Sequence, residues 1–346
     1  MGHVARYLAR QGTFAAAGCH FEVPALPGPR RQTHGIVLCH AHDPVQHAET
    51  CPSGEFAATP ALKIMTTTTE YTPTIDGAAS HYDDLDQFYR EIWGEHIHHG
   101  VWLTGRETDT EAAENLIKIV AELGHHSPNQ EVCDIGCGYG TTAKILAQRH
   151  AVNITGMTIS AVQLAYAQAN NSVPGKTHFM LRDWYDNQLP DNHFDVVQTV
   201  ESLEHMPDLP AFFRECYRVM KPGGRLVATA WMSCENPDAF AKRHLIDAIT
   251  RETQIAGVRP ESEFRAATEG AGFVNYQFKD YARQVKRTWP LCALRTVKGL
   301  LTKAHYRRFL FSSRNPNRIF ALTLFRIWLA YELGVQRYGV FSAEKR

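Results

Sequence analysis

The sequence has no excess of charge of either sign. Its 346 residues include 36 basic and 36 acidic side chains, so the formal net charge is zero. Domains that bind nucleic acid usually carry a net positive charge concentrated on one face. We therefore expect a small molecule rather than a nucleic acid as the ligand.

The sequence also lacks paired cysteines. None of its eight cysteines forms a Cys-x-x-Cys pair, and the cysteines and histidines between residues 39 and 51 have the spacing of no standard zinc module. We expect no metal site. Cys133 and Cys137 flank a predicted ligand loop, which favours reduced thiols and a cytoplasmic protein.

Long hydrophobic runs are scarce as well. Arg6 and Arg10 interrupt the start of the chain, so no signal-peptide core is expected there. The most apolar helical stretch, 319–333, contains Arg326 and is too short to cross a hydrocarbon layer about 30 Å thick. Such a helix can lie on a membrane surface or wrap an apolar ligand, with an ordinary core helix as the alternative.

Residues 1–64 differ in composition from the rest of the chain. They are rich in Pro, Gly, Ala and His and have few periodic apolar runs. We predict a disordered extension there, with a targeting segment as the alternative and Met65 as a second candidate start.

What the chain does contain is a short apolar strand followed by glycines. Residues 131–142 read Glu-Val-Cys-Asp-Ile-Gly-Cys-Gly-Tyr-Gly-Thr-Thr and precede an amphipathic helix. Glycines at alternate positions let a ligand approach the backbone, and the free N–H groups of the helix start favour an anionic group. Asp134 at the strand end can meet a substrate ammonium. The pattern predicts a small charged ligand, with a plain tight turn as the alternative.

Further apolar runs follow at the spacing of a doubly wound parallel sheet. Strands are predicted at 152–157, 177–181, 194–200 and 226–231, with helical segments between them. A sixth strand is expected at 273–279 and a final antiparallel strand at 338–342. Ligands of such sheets bind at the carboxyl ends of the strands.

Four segments carry a family resemblance. The Asp-x-Gly-x-Gly-x-Gly pattern from Asp134 resembles motif I of the class I S-adenosylmethionine-dependent methyltransferases. Ile-Trp-Gly-Glu-His-Ile-His-His-Gly at 92–100, Gly-Met-Thr-Ile-Ser-Ala-Val-Gln at 156–163 and Glu-Ser-Leu-Glu-His-Met at 201–206 are similar to motifs of the gamma-tocopherol and sterol methyltransferase-like subgroup. Ala161 stands where that subgroup has proline. The resemblance runs from near Tyr82 to the end of the chain.

The resemblance implies an α/β fold, a Rossmann-like seven-stranded sheet of order 3-2-1-4-5-7-6 with helices on both faces and a helical lid insertion. It assigns 65–346 to the methyltransferase domain. Within it we expect a cap at 78–128, a core at 129–280 plus 337–346, and a helical substrate lid at 281–336. Any peripheral membrane contact is expected to involve the lid.

S-adenosylmethionine is the implied cofactor. In the resemblance, Asp183 meets the adenine, and Thr158 and Gln163 take the place of the usual ribose-binding acid. Asp183 could instead cap the following turn. The expected cofactor-binding residues are Asp134, Gly136, Cys137, Gly138, Thr158, Gln163, Asp183, Trp184, Glu201, Trp93 and His99.

Methyl transfer from a sulfonium requires mainly alignment of the reactants and exclusion of water. If the acceptor is an aromatic carbon, a ring hydroxyl must lose its proton, and a general base is useful. His205 is the first candidate for that base, with a structural hydrogen-bonding histidine as the alternative. Glu201 could orient His205 or bind cofactor. His99 and Tyr82 are the alternative candidates for the base, and Tyr82 and Trp93 could instead shape the methyl pocket.

The acceptor implied by the resemblance is a hydrophobic small molecule. The leading expectation is a ring carbon of a prenylated, tocopherol-like phenol. The alternatives are C-methylation of a sterol or terpenoid and N- or O-methylation of another hydrophobic metabolite.

Other classes fit the sequence less well. A nicotinamide-dependent oxidoreductase predicts a third glycine three residues after the second, whereas Gly140 follows Gly138 by two, and it predicts an acid at the position of Thr158. A binding module that has lost its chemistry is disfavoured by the intact glycines together with Asp134 and Asp183.

Overall fold

The computed structural model describes residues 75–311 and 320–346. The predicted extension at 1–64 and its cluster of cysteines and histidines lie outside the described residues.

A single mixed sheet forms the centre of the described chain. Its strands are β1 (Glu131–Ile135), β2 (Asn153–Thr158), β3 (Thr177–Leu181), β4 (Phe194–Val200), β5 (Met220–Ser233), β6 (Arg259–Pro260), β7 (Val274–Asp280) and β8 (Gln336–Glu344). Their order is β3-β2-β1-β4-β5-β8-β7, and β6 pairs with the end of β5. β8 is antiparallel to β5 and β7, whereas the pairs from β3 through β5 are parallel.

The predicted strand order is confirmed once the short β6 is set aside. The expected number of seven strands is one too few, because the two residues of β6 are too short for a period-2 pattern. β3 and β4 have the predicted bounds. β5 begins at Met220, earlier than the predicted start at 226. Gly223 adopts a φ of +78°, and a register shift against β4 lets residues 220–225 continue as a bulged strand.

Helices cover both faces of the sheet. They are α1 (Ile75–Ile92), α2 (Asp109–Gly124), α3 (Thr141–His150), α4 (Ala161–Asn170), α5 (Leu209–Val219), α6 (Ala239–Ala241), α7 (Asp247–Glu252), α8 (Glu261–Gly270), α9 (Ala282–Val285), α10 (Thr288–Thr302), α11 (Ala304–Phe311) and α12 (Phe320–Glu332). A π-helical segment, Lys242–Ile246, joins α6 to α7.

Apolar packing fixes the lid helices to the core. One cluster of buried residues joins Ile92 of α1 with Trp289 of α10, Ile327 of α12 and Tyr338 of β8. Another cluster holds α5 and α8 on the sheet. The helices predicted as a lid therefore share a hydrophobic core with the first helix and the last strand.

The parallel strands bring the predicted site residues to one edge. β1, β2 and β4 lie side by side, so their carboxyl ends open on the same crevice. Asp134, Thr158 and Glu201 lie at or just after those ends. This edge positions the candidate active site.

The third glycine of the loop allows close packing of α3 and provides a test. Gly140 has a φ of +77°, and a Cβ atom there would lie 2.7 Å from Cζ of Phe179 and 3.1 Å from Cβ of Ala167. We expect Gly140→Ala to lower the free energy of unfolding by about 2–5 kcal/mol, because left-handed strain and overpacking add.

The matched control is Gly175, which has a φ of +70° and nothing within 4 Å of an added Cβ. Gly175→Ala should therefore cost only the strain, about 1–2 kcal/mol. Equal losses in urea denaturation would contradict the packing role of Gly140.

Candidate active site

A cavity of about 110 Å³ opens at the carboxyl edge of the parallel strands. We call it the glycine-loop cavity, because residues 134–139 form one of its walls. Eight of the residues predicted to bind cofactor line this cavity: Asp134, Gly136, Cys137, Gly138, Thr158, Gln163, Trp184 and Glu201. Eight of the eleven predicted cofactor residues therefore share one continuous cavity.

Three predicted cofactor residues lie elsewhere. Trp93 and His99 line a neighbouring cavity. Asp183 caps the short turn after β3 by accepting a hydrogen bond from Tyr185 N at 3.0 Å, as the alternative interpretation expected. Arg182, which the sequence analysis did not single out, lines the glycine-loop cavity beside Trp184. The contact between Asp183 and cofactor remains a prediction.

The glycine loop also packs against the protein itself. Gly136 has a φ of +72°, and a Cβ there would lie 2.5 Å from Cβ of Ser202. Ser202 Oγ donates a hydrogen bond to the carbonyl of Ile135 at 2.9 Å. After this loop, α3 begins at Gly140 without a side-chain cap. Its first N–H groups therefore suit an anionic group at this edge.

Asp134 presents an unused acceptor at the cavity. Its side chain is buried, and Oδ2 has no hydrogen-bond partner within 75–311 and 320–346. Burial raises the pKa of Asp134 to about 6, against the opposing effect of Gln198. A buried carboxyl with a free oxygen is stabilised by a cationic partner, such as an ammonium group.

The end of β2 is tied to α1 by hydroxyl groups. Thr158 Oγ1 donates to Gln163 Oε1 at 2.8 Å, and Ser160 Oγ donates to Asp83 Oδ1 of α1 at 2.6 Å. Tyr139 of the glycine loop donates to Asp86 Oδ1, one turn further along α1, at 2.7 Å. α1 therefore contacts both sides of the glycine-loop cavity.

A second cavity, of about 60 Å³, adjoins the first. We call it the aromatic cavity, because Tyr82, Tyr89, Trp93, Trp231 and Trp289 line it. The predicted lid contributes Trp289 from α10 and Ile327 from α12. Side chains that line both cavities mark their junction: Tyr82, Ile97, Glu201 and His205.

Glu201 is held by four donors. Its carboxylate accepts hydrogen bonds from His99 N at 2.6 Å, His99 Nδ1 at 2.9 Å, Trp231 Nε1 at 3.0 Å and Tyr338 Oη at 2.7 Å. Burial alone would raise the pKa of Glu201, but the His99 imidazole and these hydrogen bonds lower it to about 2. Glu201 also has a φ of +53°, in the left-handed region. An ionised carboxylate with its acceptor positions filled suits positioning better than proton transfer.

His99 connects Glu201 to the lid. Trp289 Nε1 of α10 donates to His99 Nε2 at 2.9 Å. Because an indole N–H can only donate, His99 Nε2 carries the lone pair, and its proton resides on Nδ1, facing Glu201. Hydrogen bonds therefore connect Glu201, just after β4, through His99 of the predicted cap to Trp289 of α10.

His205 and Tyr82 meet at the junction of the two cavities. Tyr82 Oη and His205 Nε2 are 2.9 Å apart, and His205 Nδ1 is buried with no partner in the described part of the chain. Burial, with a contribution from His81, lowers the pKa of His205 to about 4. His205 is therefore neutral at neutral pH. Burial raises the pKa of Tyr82 well above its ordinary value.

Glu204 is a second carboxyl in the aromatic cavity, and the sequence analysis did not assign it a role. Glu204 Oε1 accepts a hydrogen bond from Trp231 N, whereas Oε2 is buried and has no partner among the described residues. Burial raises the pKa of Glu204 to about 8, with a further contribution from Glu201. At neutral pH it is mostly a protonated acid that faces an apolar cavity.

His98 was also missed, although its three-histidine motif was recognised. His98 Nδ1 lies 2.9 Å from the carbonyl oxygen of His99, which can only accept, so the proton is on Nδ1. Nε2 therefore carries a buried lone pair, unpartnered in the described structure, on a residue that lines the glycine-loop cavity. A ligand N–H or O–H group would complete this site.

Comparisons with known proteins agree with this arrangement. Residues 133–228 match the family described as "Methyltransferase domain". The chain is 27% identical over 292 residues to tocopherol O-methyltransferase, chloroplastic, from Arabidopsis thaliana, covering 78% of this chain and 82% of that protein. It is 30% identical over 240 residues to 27-O-demethylrifamycin SV methyltransferase from Amycolatopsis mediterranei, covering 67% of this chain and 86% of that protein.

A solved structure shares the fold. A mycolic acid cyclopropane synthase complexed with SAH and CTAB matches with a TM-score of 0.70 and 20% identity, over 80% of this chain and 100% of that chain. The fold and the glycine loop define an S-adenosylmethionine-dependent methyltransferase of class I. Within that class, the chain is similar to tocopherol and sterol methyltransferases. Its cofactor is S-adenosylmethionine.

The raised pKa of Asp134 predicts a pH-dependent affinity. Only the ionised carboxylate attracts the α-ammonium of S-adenosylhomocysteine, so affinity should rise as pH increases toward about 6 and level off above it. Asp134→Asn should bind this ligand about 10- to 100-fold more weakly and lose the pH dependence between pH 5 and about 7. Calorimetric titration measures both. Wild-type affinity in the variant would remove Asp134 from the cofactor site.

The four donors to Glu201 predict an acid-sensitive contribution to stability. The pKa of this carboxyl falls from an ordinary 4.5 to about 2 in the folded chain. Its contribution is therefore present above about pH 4.5 and is lost as pH falls toward 2. We expect Glu201→Gln to lower the free energy of unfolding at pH 7 by about 3–5 kcal/mol. The side-chain N–H₂ group of glutamine can only donate, so it would face the donors of His99, Trp231 or Tyr338 without an acceptor.

The matched control for this prediction is Glu344→Gln. Glu344 is a partly exposed carboxylate on β8 that pairs with Arg225. Its replacement should cost no more than about 1 kcal/mol. Urea unfolding at pH 7 and at pH 4 compares the two variants, and a loss at Glu201 as small as that at Glu344 would contradict the positioning role.

Proposed function

We propose that this methyltransferase methylates a ring carbon of a hydrophobic phenol with a prenyl-like tail. The observation that carries the proposal is the junction of the two cavities. One side has the glycine loop, and the other is apolar and aromatic with two unused polar atoms, His205 Nδ1 and Glu204 Oε2. Such a cavity suits a largely apolar acceptor with a hydroxyl group at one end.

The cofactor-site residues are part of this proposal. Bound S-adenosylmethionine supplies a methyl group on a positively charged sulfur. Asp134 and His98 each offer an unused acceptor in the glycine-loop cavity, and α3 begins beside it without a side-chain cap. These groups suit the ammonium and carboxylate of an amino-acid moiety. Tyr82 at the junction supports the exclusion of water and can attract positive charge through its ring face.

The proton of the acceptor hydroxyl has two candidate recipients. A phenol has an ordinary pKa of about 10. The pKa of Glu204 is about 8 and that of His205 is about 4. Burial raises the pKa of Glu204 towards that of a phenol and lowers that of His205 away from it, so Glu204 is the better matched base. We propose that ionised Glu204 takes the hydroxyl proton, that His205, held by Tyr82, positions the hydroxyl, and that Glu201 acts through His99. Once the ring carbon has gained the methyl group, the hydrogen on that carbon leaves as a proton, which restores the aromatic ring, and the oxygen takes a proton back from Glu204.

The relative in Arabidopsis supports the acceptor class. It is named tocopherol O-methyltransferase, and tocopherol is a phenol with a long apolar tail. O-methylation of the same hydroxyl is a second candidate, because the same proton would be removed. A sterol, a terpenoid or a hydrophobic amine has no phenol hydroxyl, so Glu204 could not activate it by taking a hydroxyl proton before methyl transfer.

The proton assignment predicts a pH–rate profile. Turnover of a prenylated hydroquinone should rise with pH and level off above about 8, because ionised Glu204 is the active form. Glu204→Gln should lower kcat about 10²- to 10⁴-fold and abolish that rise while S-adenosylhomocysteine binding is retained. Glu122→Gln, an exposed carboxyl on α2, is the control. A profile that is flat from pH 5 to 9 with unchanged kcat in Glu204→Gln would rule out this base.

The acceptor class is tested on the same enzyme. The panel consists of a prenylated hydroquinone, the same ring without its tail, a sterol and a hydrophobic amine. NMR of the product distinguishes a new C-methyl from an O-methyl group. Exclusive methylation of the sterol or the amine would overturn the proposed acceptor.

The boundaries of the cap, the core and the lid are also part of this proposal. Trp93 of the cap and Trp289 and Ile327 of the lid line the aromatic cavity, which supports a lid over the acceptor. A cytoplasmic location with peripheral membrane contact through the lid is likewise proposed. No helix within 75–311 and 320–346 is long and apolar enough to cross a membrane.

A further inference from the structure

Charge is distributed unevenly along this neutral chain. Residues 281–311, which contain α9, α10 and α11, carry eight basic side chains and no acidic one. The rest of the chain then has a net charge of −8. The eight are Arg283, Lys286, Arg287, Arg295, Lys298, Lys303, Arg307 and Arg308.

Only three of these cations are neutralised by described partners. Lys286 pairs with Glu332, Arg295 with Asp109 and Lys303 with Glu91. In the described structure the other five form no ion pair; they are Arg283, Arg287, Lys298, Arg307 and Arg308. This part of the lid therefore presents uncompensated positive charge.

Helix α10 is apolar on two opposite sides. Its buried stripe consists of Trp289, Cys292, Thr296 and Gly299, and Trp289 reaches the aromatic cavity. Its outer stripe is Leu294, Val297, Lys298 and Leu301, at the i, i+3, i+4 and i+7 spacing of one helix face. Leu294, Val297 and Leu301 are 66%, 52% and 77% exposed. A helix of a globular protein normally turns a polar face to solvent.

Helix α11 continues the same combination. Phe311 is 80% exposed, and Arg307 and Arg308 are exposed one turn before it. We define the basic apolar face as Leu294, Val297, Lys298 and Leu301 of α10 with Arg307, Arg308 and Phe311 of α11. Exposed large apolar side chains interspersed with free cations are the composition of surfaces that lie in a membrane interface.

We propose that the basic apolar face docks on a lipid bilayer that contains anionic phospholipid. The apolar side chains enter the headgroup layer, and the cations meet lipid phosphates and carboxylates. A second copy of this chain is a poorer occupant, because a two-fold contact would bring the same free cations together.

Docking has a consequence for the acceptor that rests on the proposed function. Trp289 of the buried stripe of α10 lines the aromatic cavity, and in this proposal the outer stripe contacts lipid. A single helix, about 10 Å in diameter, then separates the bilayer surface from the acceptor cavity. A tailed phenol could pass between them without crossing open water.

The test is co-sedimentation of the full-length protein with vesicles. Phosphatidylcholine vesicles are compared with equimolar phosphatidylcholine and phosphatidylglycerol, without cofactor or acceptor. We expect stronger partitioning into the anionic vesicles, with a loss as salt increases. Lys298→Gln combined with Arg308→Gln should weaken it by about fivefold per charge, or about 25-fold together. Leu294→Gln with Leu301→Gln should also weaken it.

Matched controls use residues away from the face. Lys118→Gln removes an exposed lysine of α2, and Leu181→Gln removes a partly exposed leucine at the end of β3. Both should partition like the wild type, and circular dichroism should show that all variants are folded.

Four results would overturn the proposal. The first three are no binding to either vesicle, equal binding to both vesicles, and unchanged binding in the variants of the basic apolar face. The fourth is that the protein binds no vesicle but associates with itself or with another protein, and that the leucine variants abolish this association. Because no methyl transfer is measured, the docking proposal can fail while the proposed function stands, and the reverse also holds.

Discussion

The buried carboxylate of Glu201 is the interaction on which the rest of the site depends. It lies just after β4 in a left-handed backbone conformation and accepts from the cap through His99, from β5 through Trp231 and from β8 through Tyr338. His99 extends the chain to Trp289 of the lid. A buried charge of this kind is stable only when its hydrogen bonds are complete. Cap, sheet and lid must therefore be assembled together before the junction of the two cavities has its shape.

Two carboxyl groups three residues apart, those of Glu201 and Glu204, have pKa values that are shifted in opposite directions by their surroundings. Glu201 has four donors and a pKa of about 2, whereas Glu204 has one free oxygen in an apolar cavity and a pKa of about 8. Burial raises the pKa of both, so the difference is decided by the nearby His99 imidazole and by the hydrogen bonds that Glu201 accepts from His99 and Trp231. Glu201 also helps to raise the pKa of Glu204. One short segment after β4 thus provides a fixed negative charge and, beside it, a group that can exchange a proton near neutral pH.

Local patterns predicted the sheet and one wall of the glycine-loop cavity. The strand order, the bounds of β3 and β4, and the cavity positions of Asp134, Gly136, Thr158 and Gln163 follow from periodicity, from glycine spacing and from the family motifs. Other features depend on contacts between distant segments. Asp183 is a cap because Tyr185 N is its nearest donor, and His99 lies beyond the glycine-loop cavity because Trp289, 190 positions away, holds it. The protonation of Glu204 follows from burial, which no short motif encodes.

Helix α1 holds three separate loops at once. Tyr82 meets His205 after β4, Asp83 meets Ser160 after β2, and Asp86 meets Tyr139 of the glycine loop. At about 1 kcal/mol for each hydrogen bond, detaching the helix costs at least about 3 kcal/mol, so a detached state has a population of at most roughly one molecule in 150. If ligands exchange on this side, the rate of exchange is set by how often this rare open state forms. The first helix of the described chain would then limit the rate of turnover as well as enclose the cavity.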